Sequence, residues 1–171
     1  RLDRICDKEF ALVESRGLTG RPLLWQRDGG RLRRALQEFL LHDDERRSDD
    51  LLTPIAAEMA FGFDGAEPFV LHLSDGRTLH FRGSIDRVDQ AVGGGLVVTD
   101  FKTGKKQYYN KVSEDSPDVD GQYLQLPLYG HAARERLATP DTDVEVRYWF
   151  LTDGGKIVGH PLSDLVLGRF D

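Results

Sequence analysis

Leu96-Val97-Val98-Thr99-Asp100-Phe101-Lys102-Thr103-Gly104-Lys105 is the stretch on which the reading of this chain turns. Leu96 to Lys102 is rich in Val and bounded by Gly93-Gly94-Gly95 before it and Thr103-Gly104 after it. Such a short apolar run between turn signals reads as a strand buried on both faces. Side chains alternate along a strand, so Asp100 and Lys102 project from one face, ~6.6 Å apart along the axis, and Phe101 points into packing on the other. Alone, an Asp-x-Lys pair is an ordinary strand end. Its meaning depends on what surrounds it.

Outward from that strand, Phe69 to Leu73 and Thr78 to Phe81 flank Ser74-Asp75-Gly76-Arg77. An Asp-Gly pair between two apolar runs predicts a hairpin. Its second arm is expected to continue through Gly83-Ser84-Ile85-Asp86-Arg87-Val88-Asp89 and to pair with the decisive strand across the glycine turn. Asp86 then comes near Asp100. Ile55 to Phe63, after Pro54, reads as a further strand, although its alanines leave a helix open. Downstream, Lys105 to Asp120 has no period and reads as an exposed loop. A helix is expected from Gly121 to about Leu137, with Pro127 awkward inside it. Val144 to Leu151 alternates as a strand, Asp153-Gly154-Gly155 turns, and Lys156 to His160 pairs back.

The first fifty residues read as helical. Leu32, Leu36, Phe39 and Leu40 recur at helical spacing, with Gly29-Gly30 expected as a break before them. Leu2, Ile5, Phe10 and Leu12 suggest a shorter helix. Asp43 to Asp50 reads as a solvated helix end and loop. Helices, a run of strands, a helix and more strands together predict an α/β domain, a mixed central sheet flanked by helices. The chain is expected to be a single domain over residues 1–171, with a helical part at 1–50 and a sheet core at 54–162. Beginning at Arg1 rather than Met, it reads as a piece of a longer protein.

Composition narrows the function. No apolar stretch approaches the roughly 20 residues of a membrane span, and no secretory leader opens the chain. The single cysteine, Cys6, forms no internal disulfide and by itself holds neither zinc nor an iron–sulfur cluster. A cytoplasmic setting without membrane partners is expected. The formal charge of -6 argues against a surface that is basic throughout and grips nucleic acid everywhere, but not against an acidic metal site with a basic rim.

Two carboxylates and a lysine converging at a strand end have a clear chemistry. Carboxylate and carbonyl oxygens are hard ligands suited to Mg²⁺ or Mn²⁺. Such an ion polarises a phosphoryl oxygen and acidifies water, and a nearby ammonium orients that water. Other candidates are weaker. Thr103-Gly104-Lys105-Lys106 lacks the spacing of a phosphate-binding loop. His72 and His80 are expected to face each other across the hairpin as a plain cross-strand pair, since no third zinc ligand is evident. Lys105, Lys106 and Lys111 with Tyr108 and Tyr109 mix cations and aromatics as DNA-contacting loops do, and as plain surface also does. Trp25 and Trp149 read as core or interface residues.

Three segments taken together carry a resemblance: GSIDRVD (Gly83 to Asp89), LVVTDFKTGK (Leu96 to Lys105) and QLPLY (Gln125 to Tyr129). In this order they resemble the RecB-family exonucleases of the PD-(D/E)XK superfamily, and PIAAEMAFGF (Pro54 to Phe63) is similar to the first core strand of that family. The resemblance implies a restriction-endonuclease-like core and a metal-dependent DNA nuclease acting in recombination or repair. It implies that Asp86 and Asp100 bind Mg²⁺ or Mn²⁺, with the Phe101 carbonyl as a further ligand; Glu58 matches a recurrent acidic position and reads either as a metal ligand or as a strand carboxylate paired with an Arg. Lys102 is then the catalytic lysine, with Gln125 and Tyr129 on one helix face beside the reacting centre. DNA and the helicase or other domains of a parent protein are the implied partners. Relatives often carry a further His or Glu ligand on an N-terminal helix. Here His42 is the only histidine before the first strand, and it reads as solvated. Some relatives also hold an iron–sulfur cluster on four cysteines, which a chain with one cannot do. A catalytically idle nuclease fold serving as a DNA-binding or scaffold module is the alternative, and a phosphohydrolase of small molecules is a third reading.

Overall fold

The computed structural model describes residues 1–170, which divide into two compact units, Arg1–Glu45 and Arg46–Asp171. Helix α1 (Leu2–Ser15) and helix α2 (Pro22–Asp49) supply the first unit, the last turn of α2 lying beyond its boundary. Gly29-Gly30 is not a break, as the sequence suggested, but lies inside α2. A glycine pair weakens a helix without ending it, and here tertiary packing decides. A Cβ on buried Gly29 would stand 3.4 Å from the Phe10 ring, so the bare backbone lets α1 lie close. Phe10 meets Trp25 edge-on at 5.2 Å, Trp25 donates to Glu14 at 2.6 Å, and Arg33 bridges Asp3 and Asp7.

Gly30 has no such role, because a Cβ there meets nothing within 4 Å. Gly30→Ala is therefore expected to stabilise α2 by about 0.5–1 kcal/mol through reduced unfolded-state entropy. A urea titration followed by helical circular dichroism reads this as a higher midpoint; an unchanged or lower midpoint speaks against it.

The second unit is built on a mixed five-stranded sheet, an α/β arrangement of the restriction-endonuclease kind. Its strands are β1 (Leu52–Phe61), β4 (Gly83–Ala91), β5 (Leu96–Lys102), β6 (Val144–Phe150) and β7 (Lys156–Pro161), side by side in that order. Only β5 and β6 run parallel, from Leu96↔Val144 to Lys102↔Phe150. A parallel pair needs a long crossover, and helix α3 (Gln125–Leu137) provides it, packed on β5 and β6. Val88, Val98, Val146, Tyr148 and Phe150 line the core beneath Leu126, Ala132 and Ala133.

Several boundaries differ from the sequence reading, each for a physical reason. The first strand runs Leu52–Phe61 rather than 55–63. Pro54 is tolerated because β1 is an edge strand and its register slips between Pro54 and Ala56. The hairpin of β2 (Phe69–His72) and β3 (Thr78–Phe81) forms its own two-stranded sheet. Its second arm does not continue unbroken into β4; the chain changes sheets at Arg82. Within it His72 pairs with Thr78 and His80 with Val70, so the two histidines are diagonal rather than opposed. Helix α3 starts at Gln125, not Gly121, which puts Pro127 in its first turn, where a missing N–H costs nothing. The segment after β5 is not plain exposed loop either. It contains a 3-10 turn, Lys106–Tyr109, and buries Val112, Asp118 and Val119.

The sheet face opposite α3 is polar yet closed. Arg87 pairs with fully buried Asp89 at 2.8 Å, and Arg147 donates to Thr99 at 2.9 Å. Buried Trp149 is flanked by the guanidinium groups of Arg46, Arg87 and Arg147 at 5.5–5.8 Å. Burial pushes the Arg147 pKa down, and the aromatic ring offsets part of that desolvation.

Candidate functional site

The site opens where two strands part. The β4–β5 ladder stops at Arg87↔Thr99, whereas β5 stays paired with β6 as far as Lys102↔Phe150. One side of the end of β5 is thus held and the other is free. Into that gap Asp86 turns its carboxylate, and Oδ2 accepts the Phe101 N–H at 2.6 Å. The Asp86 side chain is locked between the two residues of β5 that carry charge, Asp100 and Lys102.

Asp100 is 3% exposed, and its Oδ2 lies 2.5 Å from Lys102 Nζ. Their strand alternation puts both on one face, as the sequence predicts. Lys102 Nζ also donates to Gln125 Oε1 at 2.8 Å and stands 5.0 Å over the Tyr148 ring. Gln125 Nε2 in turn donates to the Tyr129 hydroxyl at 3.1 Å, one turn along α3. A continuous polar chain therefore runs Asp100–Lys102–Gln125–Tyr129. Two strands and one helix fix it.

Electrostatically the site is poised rather than relaxed. Burial pushes the Asp100 carboxyl above its ordinary value of 3.8; Lys102 pulls it back, and the Asp86 charge pushes it up again. The desolvation wins, so Lys102 does not fully compensate the buried charge. The Tyr148 phenol is also pushed up, by burial and by Asp100, and it serves as a neutral aromatic floor.

Glu58 is placed differently. Neighbouring pairs Ala57↔Arg87 and Met59↔Ile85 put it opposite Asp86, and it has a φ of 48°. A positive φ in a non-glycine residue costs of order 1 kcal/mol or more and gathers at functional sites. Its carboxylate Oε2 lies 3.5 Å from the Ser84 hydroxyl. Among the described residues, no three His, Cys, Asp or Glu side chains come together closely enough to hold a metal ion, so Glu58 does not join Asp86 and Asp100 in one cluster. His42 is exposed and lies 3.7 Å from Glu45 one turn away.

Two contributors were missed by sequence reading. Tyr148 lies under Lys102 because β6 is parallel to β5 with Asp100↔Tyr148 in register, and nothing local in the sequence announces that pairing. Gly83 carries the second: a Cβ there would stand 2.8 Å from Phe61 and 2.9 Å from Tyr129, whose rings meet edge-on at 5.8 Å. The glycine of GSIDRVD is thus the seat of the Tyr129 ring.

Residues 1–165 match the PD-(D/E)XK nuclease superfamily. A curated protein from Acetivibrio thermocellus, one subunit of an ATP-dependent helicase/deoxyribonuclease, is 36% identical over 74 residues. That match covers 41% of this chain and 6% of the length of the relative. Among the described residues, no helix is long and apolar enough to cross a membrane.

Proposed function

The chain belongs to the PD-(D/E)XK nuclease superfamily, and from that premise we propose that it is a divalent-metal-dependent DNA nuclease centred on Asp86, Asp100 and Lys102. The observation that carries this reading is the parted strand end, where Asp86 is fixed on the Phe101 N–H and Asp100 is paired with Lys102. The donors suit Mg²⁺ or Mn²⁺: a buried carboxylate whose charge is under-compensated, a second carboxylate with one oxygen anchored, and the backbone carbonyl of Phe101. Asp86, Asp100 and that carbonyl would hold the ion.

When bound, the ion supplies Lewis-acid charge at the phosphoryl group and acidifies the attacking water. The chain's own groups do the rest. Asp86 Oδ2 stays on the backbone, which leaves its other oxygen available as a ligand. Lys102, held by Gln125, orients the water and adds positive charge where the transition state gathers negative charge. Tyr129 fixes Gln125 and so the ammonium. Water attacks phosphorus and gives up a proton to solvent, the P–O bond to the leaving nucleotide breaks, and the leaving oxygen takes up a proton from solvent.

The likeness to the Acetivibrio helicase/deoxyribonuclease supports a deoxyribonuclease working beside helicase domains, and the ordered GSIDRVD, LVVTDFKTGK and QLPLY segments favour the finer assignment of a RecB-like exonuclease of recombination or repair acting in the cytoplasm. The alternative is an idle nuclease fold, favoured by the Lys102 ammonium already being paired with Asp100. Cleavage of labelled linear and circular DNA with Mg²⁺ or Mn²⁺ separates the two. Turnover that EDTA stops and Lys102→Ala lowers by about 10²-fold or more is expected. Metal-dependent turnover untouched by Lys102→Ala contradicts the reading, and binding without turnover supports the idle fold.

A further inference from the structure

Just beyond the end of β5 lies a cavity of about 480 Å³ lined by Lys105, Lys106, Gln107, Asn110, Asp153 and Lys156. It gathers three of the six lysines in a chain whose formal charge is -6. Asp153 is its only acid, and that acid is spent on construction. One oxygen accepts the Lys106 backbone N–H and the other pairs with Lys156, both at 3.0 Å. These two partners, with Lys105 nearby, push the Asp153 carboxyl pKa down. Among the described residues, the ammonium groups of Lys105 and Lys106 make no ion pair within 4.0 Å.

The cavity is rigidly tied to the proposed reacting centre. Leu151 donates to the Lys102 carbonyl at 2.9 Å, and Thr152 to that of Thr103 at 2.6 Å. Tyr109 packs on Tyr148, the ring beneath Lys102, at 4.7 Å, and on Tyr123 and Phe150 at 5.0 and 5.2 Å. Tyr123 donates to the Tyr108 carbonyl at 2.7 Å, which leaves the Tyr108 ring 65% exposed on a fixed backbone. Lys105 lies three positions along the chain from Lys102, at most ~10 Å away. Phosphates of one strand recur every ~3.4 Å along a duplex axis, so this reach covers about three of them.

We infer that the Lys105–Lys106–Lys156 cavity seats a backbone phosphate of the DNA strand a few nucleotides from the bond being cut, and that Tyr108 offers its ring to an adjacent base. The three lysines are then positioning residues: they set which phosphodiester reaches Asp100 and Lys102. A cationic pocket beside an exposed, anchored aromatic suits a polymer with phosphates and bases better than a free anion. This inference rests on the nuclease reading for its substrate, but its test does not need cleavage.

Binding of a fluorescein-labelled oligonucleotide to the full chain in EDTA, across a salt series, reads the number of phosphate contacts. Lys105→Gln/Lys106→Gln is expected to lower the log–log salt slope by about 0.7–0.9 per lysine removed. Lys105→Gln alone, at an exposed position that cannot upset folding, gives about half the change, and Lys106→Arg, which keeps the charge, leaves the slope as in the wild type. With cation present, the double variant raises KM for DNA and leaves kcat at saturation within about two-fold, since phosphate contacts position rather than react. An unchanged slope in both variants overturns the inference. So does inorganic phosphate displacing DNA better than chloride of equal ionic strength, which marks a free-anion site. Failure of the cradle leaves Lys102-dependent cleavage standing; failure of the nuclease reading abolishes cleavage and leaves the slope change standing.

Discussion

Asp100→Asn is expected to remove metal-dependent cleavage and, in the absence of divalent cations, to raise the melting temperature of the protein. The loss of cleavage follows from the buried oxygen donor it neutralises, and a fall of about 10²-fold or more in rate is anticipated. The gain in stability follows from the direction in which Asp100 is shifted. Burial and the Asp86 charge hold its carboxyl above 3.8 even with Lys102 attached. The folded chain therefore binds that proton more tightly than the unfolded chain. Stability from this group is fully present below the unfolded value and is lost as pH rises through the raised folded value. At neutral pH the wild type carries that cost and the asparagine variant does not. The difference in melting temperature should be positive at pH 7 and shrink as pH falls through the raised folded value toward 3.8, by which point wild-type Asp100 has taken up its proton. Differential scanning calorimetry in EDTA at several pH values checks this. A variant less stable than wild type at pH 7 would show that the Lys102 pair outweighs the desolvation.

Gly83→Ala is expected to reach the same site from a distance. Its new Cβ would lie 2.8 Å from Phe61 and 2.9 Å from Tyr129, closer than side chains approach. Buried Phe61 has little room to yield, so the strain falls largely on Tyr129, then on Gln125 through their hydrogen bond, and then on Lys102. Overpacking of this kind costs about 1–3 kcal/mol, and a misplaced positioning group costs up to about 10²-fold in rate. Chemical denaturation and cleavage assays should both record the loss. Full activity with a lowered denaturation midpoint would mean that Tyr129 does not position Lys102.

How much of this was legible beforehand depended on whether the signal was local. Leu96 to Lys102 announced a buried strand because a Val-rich run between glycine turns has few other solutions, and alternation alone put Asp100 and Lys102 on one face. Asp75-Gly76 announced a hairpin for a similar local reason. The continuation of α2 through Gly29-Gly30 was hidden, since only the Phe10 ring pressed against Gly29 explains it. Pro54 and Pro127 misled by identity. An edge strand and a first helical turn each tolerate proline, and neither position is visible until the boundaries are known.

Tertiary pairing was hidden most deeply. The parallel register that slides Tyr148 under Lys102 depends on a crossover spanning residues 103–143. The buried Arg87–Asp89 and Arg147–Thr99 pairs around Trp149 depend on strand alternation and on which neighbours close over that face, and no local pattern announces them. The loop after β5 looked featureless because the packing of Tyr109 on Tyr148 is made with a distant strand. The cavity lined by Lys105, Lys106 and Lys156 follows from that same packing.

The most direct test of the account is a calorimetric titration of Mn²⁺ into the wild-type chain, Asp86→Asn, Asp100→Asn and Lys102→Ala. Cation binding that is lost in both asparagine variants and kept, or tightened, in Lys102→Ala is predicted, because that last change removes the ammonium competing for Asp100. Binding unaffected by either asparagine substitution, or lost only with Lys102, would contradict the proposal that Asp86 and Asp100 form the metal centre.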